Sequence, residues 1–425
     1  MVRDNHEWMQ LDNAALIYPV ARRRNWMAMF RVSAELAEDI DPSFLQLALE
    51  RTIKRFPSFA QRLRHGAFWY YLEHIDAIPR IQEDVANPCV RMDLKKNFGY
   101  MFRVRYYKKR IALEVFHVLT DGTGGLVFLK TLVAEYLKFK YGAQIPRGNG
   151  ILDCDEDATL EELEDSFLAN AHNECINRHE QASYRIYGSG SPDFMFVTAG
   201  IVSTDALLSK AKEYNCTVTE FLTAVLILAV AKMQRRKEGG RLKPVKVNVP
   251  VNLRKFYDSK TLRNFSSYVN PGIEPRFGEY SLEETIKAVK YYMGLEITEK
   301  RMNARFAANV KSQQNAALRV APMVLKKYVM KSVYLVVGDR YSSTSMSNLG
   351  QVRLPEAMAA YVQRMDFMLG SLHSNPVTCA CLSYNGKTCI NFTRTIVEPE
   401  TERNFFTALV KMGIHVLVES NGGID

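Results

Sequence analysis

Two lobes of mixed α/β (α+β) structure are what the sequence predicts, and three features carry the prediction. Short β-rich runs alternate with amphipathic helical stretches through the first 140 residues or so. An acidic passage edged by Gly and Pro lies between Gly142 and Pro192, and a second series of strands and helices follows it. The 425 residues suffice for two or three domains or one large double one. The boundaries expected are a first lobe over 1–150, a connector over 151–192 and a second lobe over 193–425.

Each element follows from local pattern. Residues 28–36 read as a strand, and 42–56 place Phe44, Leu45, Leu47, Ala48, Leu49 and Ile53 on one helix face. Strands are expected at 68–72, 102–107 and 111–116, where β-branched and aromatic residues gather, and a helix from about 124 to 141. The connector holds eight acids between Asp153 and Asp165 and no base, and its Thr159 and Glu162 have capping-box spacing, so a helix starts there. Beyond it come a strand at 194–202 and a helix at 205–214. Thr217 and Glu220 form another capping box ahead of the apolar run 221–231, 246–253 reads as a strand, and Ser281 with Glu284 caps a further helix. The chain closes with an amphipathic helix to which His415 is assigned.

Before that helix, 377–384 and 387–393 flank Asn385-Gly386, the pair that favours a two-residue type I′ turn. Such a turn pairs Tyr384 with Lys387 and Leu382 with Cys389, so Cys389 points opposite to Cys379 and Cys381. That geometry argues against a thiolate metal site; the three cysteines read as small buried hydrophobes, and no metal is expected.

Composition narrows the function classes. Apolar residues at 47%, charged residues at 24% and a mean hydropathy of −0.18 exclude disordered, collagen-like and coiled-coil chains. Seven cysteines without regular spacing argue against a disulfide framework. The start, MVRDNHEWMQ, lacks the basic-then-apolar order of a secretory leader, and the longest apolar run is about half of the roughly 20 residues that cross a bilayer. A cytoplasmic location without a membrane span is expected. Formal net charge is +10, and setting the eight connector acids aside leaves 56 bases against 38 acids, a surplus that favours an anionic partner. The basic clusters at 22–24, 108–110 and 235–237 read as solvated faces, and no stacked-aromatic motif, zinc-finger spacing or basic zipper accompanies them. Nucleic acid is therefore not the partner expected.

One segment concentrates chemistry: residues 111–125, IALEVFHVLTDGTGG. Strand alternation puts Ile111, Leu113, Val115 and His117 on one face, so a histidine ends an apolar face where the chain turns through Gly122, Gly124 and Gly125 into a helix. That placement suits a general base, fixed by the strand yet open to a substrate, and the glycines would let backbone approach a narrow ligand. A strand-end histidine bonded to a nearby carbonyl is the bland reading of the same spacing. His6, His65, His74, His172, His179, His373 and His415 lack such a setting.

His117-Val-Leu-Thr-Asp121-Gly122 resembles the HxxxDG motif of the CoA-dependent acyltransferase superfamily. That superfamily includes chloramphenicol acetyltransferase, alcohol acetyltransferases, wax ester synthases and peptide-synthetase condensation domains. Leu11-Asp-Asn-Ala-Ala resembles the start of the alcohol-acetyltransferase-like members. Arg55-Phe-Pro-Ser-Phe-Ala-Gln-Arg62 is similar to the segment after their first long helix. Pro250-Val-Asn-Leu-Arg254 and Ser347-Asn-Leu-Gly350 look like their second-lobe motifs in the expected order. Position 116 is Phe where condensation domains usually carry a second histidine, which favours the single-histidine branch.

The resemblance implies a chloramphenicol-acetyltransferase-like pseudo-dimer, monomeric, with a tunnel between the lobes that admits acyl-CoA as co-substrate at one mouth and a small-molecule acceptor at the other. His117 would be the base in a direct transfer of a short acyl group to an alcohol. Asp121 is able to orient the imidazole, although the resemblance implies a structural role in which an arginine holds it; Arg254 and Arg62 are both candidates. Ser347 and Asn348 either donate toward the oxyanion from the tunnel wall or, with Gly350, form a hydrogen-bonded turn. Transfer to an amine, a carrier-protein donor, and a silent acyl-thioester-binding protein are the competing readings.

Overall fold

A computed structural model describes residues 8–22, 27–176, 180–190, 194–237, 242–315, 321–323, 326, 339–370 and 375–422. The strands are β1 (Trp8–Gln10), β2 (Met29–Leu36), β3 (Gln61–His65), β4 (Tyr70–His74), β5 (Gln82–Glu83), β6 (Phe102–Tyr107), β7 (Arg110–Phe116), β8 (Phe196–Ser203), β9 (Val245–Asn252), β10 (Ser266–Val269), β11 (Gly272–Ile273), β12 (Thr344–Gln351), β13 (Val362–Leu369), β14 (Val377–Tyr384), β15 (Lys387–Arg394) and β16 (Leu417–Ser420). The helices are α1 (Ile17–Ala21), α2 (Pro42–Arg55), α3 (Gly122–Tyr141), α4 (Leu160–Leu163), α5 (Ser166–Asn170), α6 (Thr204–Glu213), α7 (Val218–Lys237), α8 (Leu282–Glu296), α9 (Glu299–Gln314), α10 (Glu356–Ala359) and α11 (Glu400–Lys411).

The first lobe is a five-stranded sheet in the order β13-β2-β7-β6-β5. Ile111, Leu113 and Val115 of β7 turn one face toward α2 and α3, which bury Leu45, Ala48, Leu49, Phe128, Leu129 and Leu132 in the same core. Both helices start where the sequence supplies an acceptor. Asp41 takes the Ser43 amide at 2.9 Å ahead of Pro42, and Asp121 takes the amides of Thr123 and Gly124. Gly142, at φ +66, closes α3 in the left-handed conformation.

The second lobe is an eight-stranded sheet ordered β10-β9-β12-β14-β15-β8-β16, with β11 also on β9. Its central helix α7 is buried nearly all round, which is why the sequence shows an apolar run there and little stripe. No single helix among the described residues is long and apolar enough to cross a membrane. The β14–β15 hairpin turns at Asn385 and Gly386, φ +48 and +72, and pairs Tyr384 with Lys387 and Leu382 with Cys389. Cys379 and Cys381 enter the second core, while Ala380, Leu382 and Tyr384 on the opposite face enter the first, so β14 serves both lobes.

Two features depart from the sequence reading, and a third extends it. Strand β13, from the part of the chain assigned to the second lobe, lies antiparallel to β2 and completes the first lobe's sheet. His415 lies beyond the end of α11 and is exposed. The acidic part of the connector is docked: Arg55 grips Glu162 through both guanidinium nitrogens at 2.7 Å, Arg51 pairs with Asp155, and Lys260 of the second lobe reaches Glu161 at 2.8 Å.

Candidate active site

His117 follows β7 directly. Its backbone N–H donates to the Ala28 carbonyl at 2.9 Å, and its ring is partly exposed. Tyr18 of α1 stacks on the imidazole at 4.8 Å between centroids, and Phe30 of β2 meets it edge-on at 5.3 Å. The ring's Nδ1 lies 2.8 Å from Oδ1 of Asn264, a buried residue just before β10. The amide nitrogen of Asn264 donates to the His117 carbonyl and to Oδ2 of Asp12, each at 3.1 Å. Asp12 is fully buried, takes the Ala15 amide at 2.7 Å and lies 3.7 Å from the Arg263 guanidinium. Burial holds the imidazole below its ordinary pKa, partly offset by the Asp121 charge, so the ring is neutral at neutral pH. Burial also raises the Asp12 carboxyl to about 6 against the opposing pull of Arg263.

Asp121 occupies both of its oxygens away from the ring. Oδ1 caps α3, and Oδ2 accepts from Arg254 Nη1 at 2.8 Å and from the Phe265 amide at 3.0 Å. Burial alone would raise its pKa, but the charge and hydrogen bond of Arg254, with the amides of Phe265 and Gly124, outweigh burial and hold it below the ordinary value. Arg254 sits in a turn after β9 and also donates to the carbonyls of Thr261 and Arg263. Arg62 is elsewhere, paired with Glu73 on the next strand of the small sheet β1-β4-β3.

The glycines after Asp121 serve the protein's own packing. A Cβ at 124 would fall onto the Thr120 hydroxyl and the Leu262 carbonyl, one at 125 would meet Phe30 at 2.7 Å, and one at 122 would meet Leu349 at 2.8 Å. At 122 and 124 the missing side chain makes room for Leu349 and Leu262 of the second lobe, and at 125 for Phe30 of β2 in the first.

Leu349 also brings the second-lobe motif to the first. Ser347 shares its face of β12 with paired Ala380, toward the first core, and its hydroxyl has no hydrogen bond among the described residues. Asn348 points the other way. Its amide nitrogen donates to Thr219 of α7 at 3.0 Å, and its oxygen takes the Gly350 amide at 2.7 Å across a bulge in which Gly350 has φ +76. Asn348 and Gly350 therefore build the turn, and Ser347, like Leu349, faces the histidine's lobe.

Of the other histidines, His65 and His172 are exposed, and His74 is half-buried beside Asp76. His6, His179 and His373 lie outside the described residues. Among the described residues no group of three or more His, Cys, Asp or Glu is placed to hold a metal ion. Sequence reasoning missed Asn264, Tyr18 and the role of Asp12. Asp12 lies within the Leu11–Ala15 motif, whereas nothing in the residues around Asn264 marks it.

No family profile matches the sequence, and no curated protein matches it significantly. Solved structures do. TRI101 of Fusarium sporotrichioides, complexed with coenzyme A and T-2, is 11% identical with a TM-score of 0.65 over 97% of this chain and 100% of its own. Polyketide synthase associated protein 5 from Mycobacterium tuberculosis is 15% identical at 0.62, covering 95% and 97%. The starter condensation domain of rhizomide synthetase RzmA, in complex with C8-CoA, is 12% identical at 0.60, covering 95% and 94%. At such identities what is shared is the fold: the two-lobed architecture common to chloramphenicol-acetyltransferase-like acyltransferases and condensation domains.

Proposed function

We propose, from that fold and from a strand-end histidine whose Nδ1 is bonded to Asn264 and whose Nε2 has no hydrogen bond among the described residues, that the chain is an acyl-CoA-dependent acyltransferase that transfers a short acyl group to an alcohol. His117 Nε2 takes the acceptor's hydroxyl proton as the oxygen attacks the thioester carbonyl, whose π electrons move to oxygen. The oxyanion collapses, the C–S bond breaks, and the CoA thiolate recovers the proton from Nε2. No acyl group is carried on the protein. Ser347 is the donor that supports the oxyanion best, because its hydroxyl makes no hydrogen bond among the described residues and faces the first lobe.

The observation that carries the reading is the 2.8 Å contact of Asn264 with Nδ1 on a ring that is neutral at neutral pH. A screen of acyl-CoAs against alcohols and amines, read by release of free thiol, tests it. His117→Ala should then lower turnover by about 10²- to 10⁴-fold. Unchanged turnover in that variant at saturating substrates removes His117 from the base role, and turnover with amines alone replaces O-transfer by N-transfer.

A further inference from the structure

We infer that Asp12 and Asn264 are positioning residues for His117: the carboxylate fixes which way the Asn264 amide faces, and the amide fixes which imidazole nitrogen carries the proton. The inference deepens the proposed base role and rests on it for its kinetic consequence, though not for its structural one.

The geometry leaves one arrangement. The Asn264 amide nitrogen sits between two oxygens, Asp12 Oδ2 and the His117 carbonyl, each at 3.1 Å. A carbonyl and a carboxylate only accept, so turning the amide over would set an acceptor against two acceptors. Oδ1 therefore faces the ring, and Nδ1, 2.8 Å from an acceptor, must carry its hydrogen. In the neutral imidazole the lone pair is then on Nε2, the nitrogen a base uses. Asn264 also holds the histidine twice, by ring and by backbone carbonyl, which fixes side-chain rotation as well as tautomer.

Asp12 is itself immobilised by the Ala15 amide at 2.7 Å and by Arg263. The chain of contacts joins distant stretches of sequence: 252 residues separate Asp12 from Asn264, and 147 separate Asn264 from His117. Proton placement on the first lobe's histidine is thus set by a residue of the second.

The test uses the whole chain with ¹⁵N-labelled histidine and needs no acceptor. The imidazole nitrogen resonances of His117, assigned by their loss in His117→Ala, should show Nδ1 protonated and Nε2 bare near neutral pH. Asn264→Ala should move them toward a mixture of tautomers, and the near-isosteric Asp12→Asn should move them part of the way, with thermal melting showing that each variant is folded. With substrates in hand, both variants should lose about 10- to 100-fold in kcat while KM for acyl-CoA stays unchanged, a loss at the low end of what a misplaced catalytic group costs. A wild-type ring protonated on Nε2, or resonances that neither variant moves, overturns the inference. Full turnover in His117→Ala would instead overturn the base role while leaving the tautomer result standing.

Discussion

Asp121 lies four residues from His117, yet its oxygens serve a helix cap, an arginine and a backbone amide of the second lobe. Removing the charge leaves Arg254 uncompensated in a largely buried setting, so Asp121→Asn should destabilise the fold by about 3–5 kcal/mol and lower activity with it, as read from denaturant midpoints. The pKa of Asp121 is depressed in the fold, so its contribution is present above the ordinary carboxylate pKa of 3.8 and disappears as pH falls through the lower folded value. Asp12 has the opposite sign: with a folded pKa of about 6, stability is fully present below 3.8 and declines as pH rises through 6. Ser347→Ala should lower kcat about 10²- to 10³-fold with KM for acyl-CoA retained if its hydroxyl meets the oxyanion; an unchanged kcat would return the residue to packing. At this scale the sequence showed His117 and Asp121 by spacing and left Arg254 and Arg62 undecided, because a guanidinium's partner depends on folding. Asn264 carried no local signal at all, since its importance comes from two residues far away in the chain.

Helices with caps and strands with clean alternation were legible to within a residue or two. β6, for instance, spans Phe102–Tyr107, and α2 spans Pro42–Arg55. β13 was not. Opposite β2 it has a register shift between Val362 and Arg364, so its buried residues fall at 362, 365 and 367 and the period-two pattern is broken. The glycines of 122–125 were seen, but their reason was not. The Leu262 carbonyl that packs against Gly124 also accepts the Thr120 hydroxyl at 2.5 Å, and it belongs to a segment 138 residues downstream. Gly124→Ala sets a methyl against that backbone oxygen, which cannot rotate away. We expect a loss at or above the usual 1–3 kcal/mol of overpacking, measured by thermal or denaturant unfolding, and larger than the loss for alanine at Gly142, whose Cβ position is open but whose φ is +66.

For the whole molecule, charge is partitioned. Acids of the connector neutralise Arg51, Arg55 and Lys260, leaving the net charge of +10 to other surfaces. If that surplus receives the phosphates of CoA, raising salt should increase KM for acyl-CoA far more than KM for a neutral alcohol, because exposed charges act over a Debye length of about 8 Å at physiological ionic strength. A KM for acyl-CoA that stays flat across salt assigns the surplus to another partner. The position of β13 has a different consequence, for any attempt to divide the protein. A cut anywhere in 151–192 yields no pair of self-sufficient halves: the leading fragment keeps β2 with a bare edge from Met29 to Leu36, and the trailing fragment carries β13 without the strand it pairs with, its Val362, Met365 and Phe367 parted from the first-lobe side of their core. Each fragment is a template for the other, so the two expressed separately would aggregate and expressed together would reassemble, with strand exchange as the clasp.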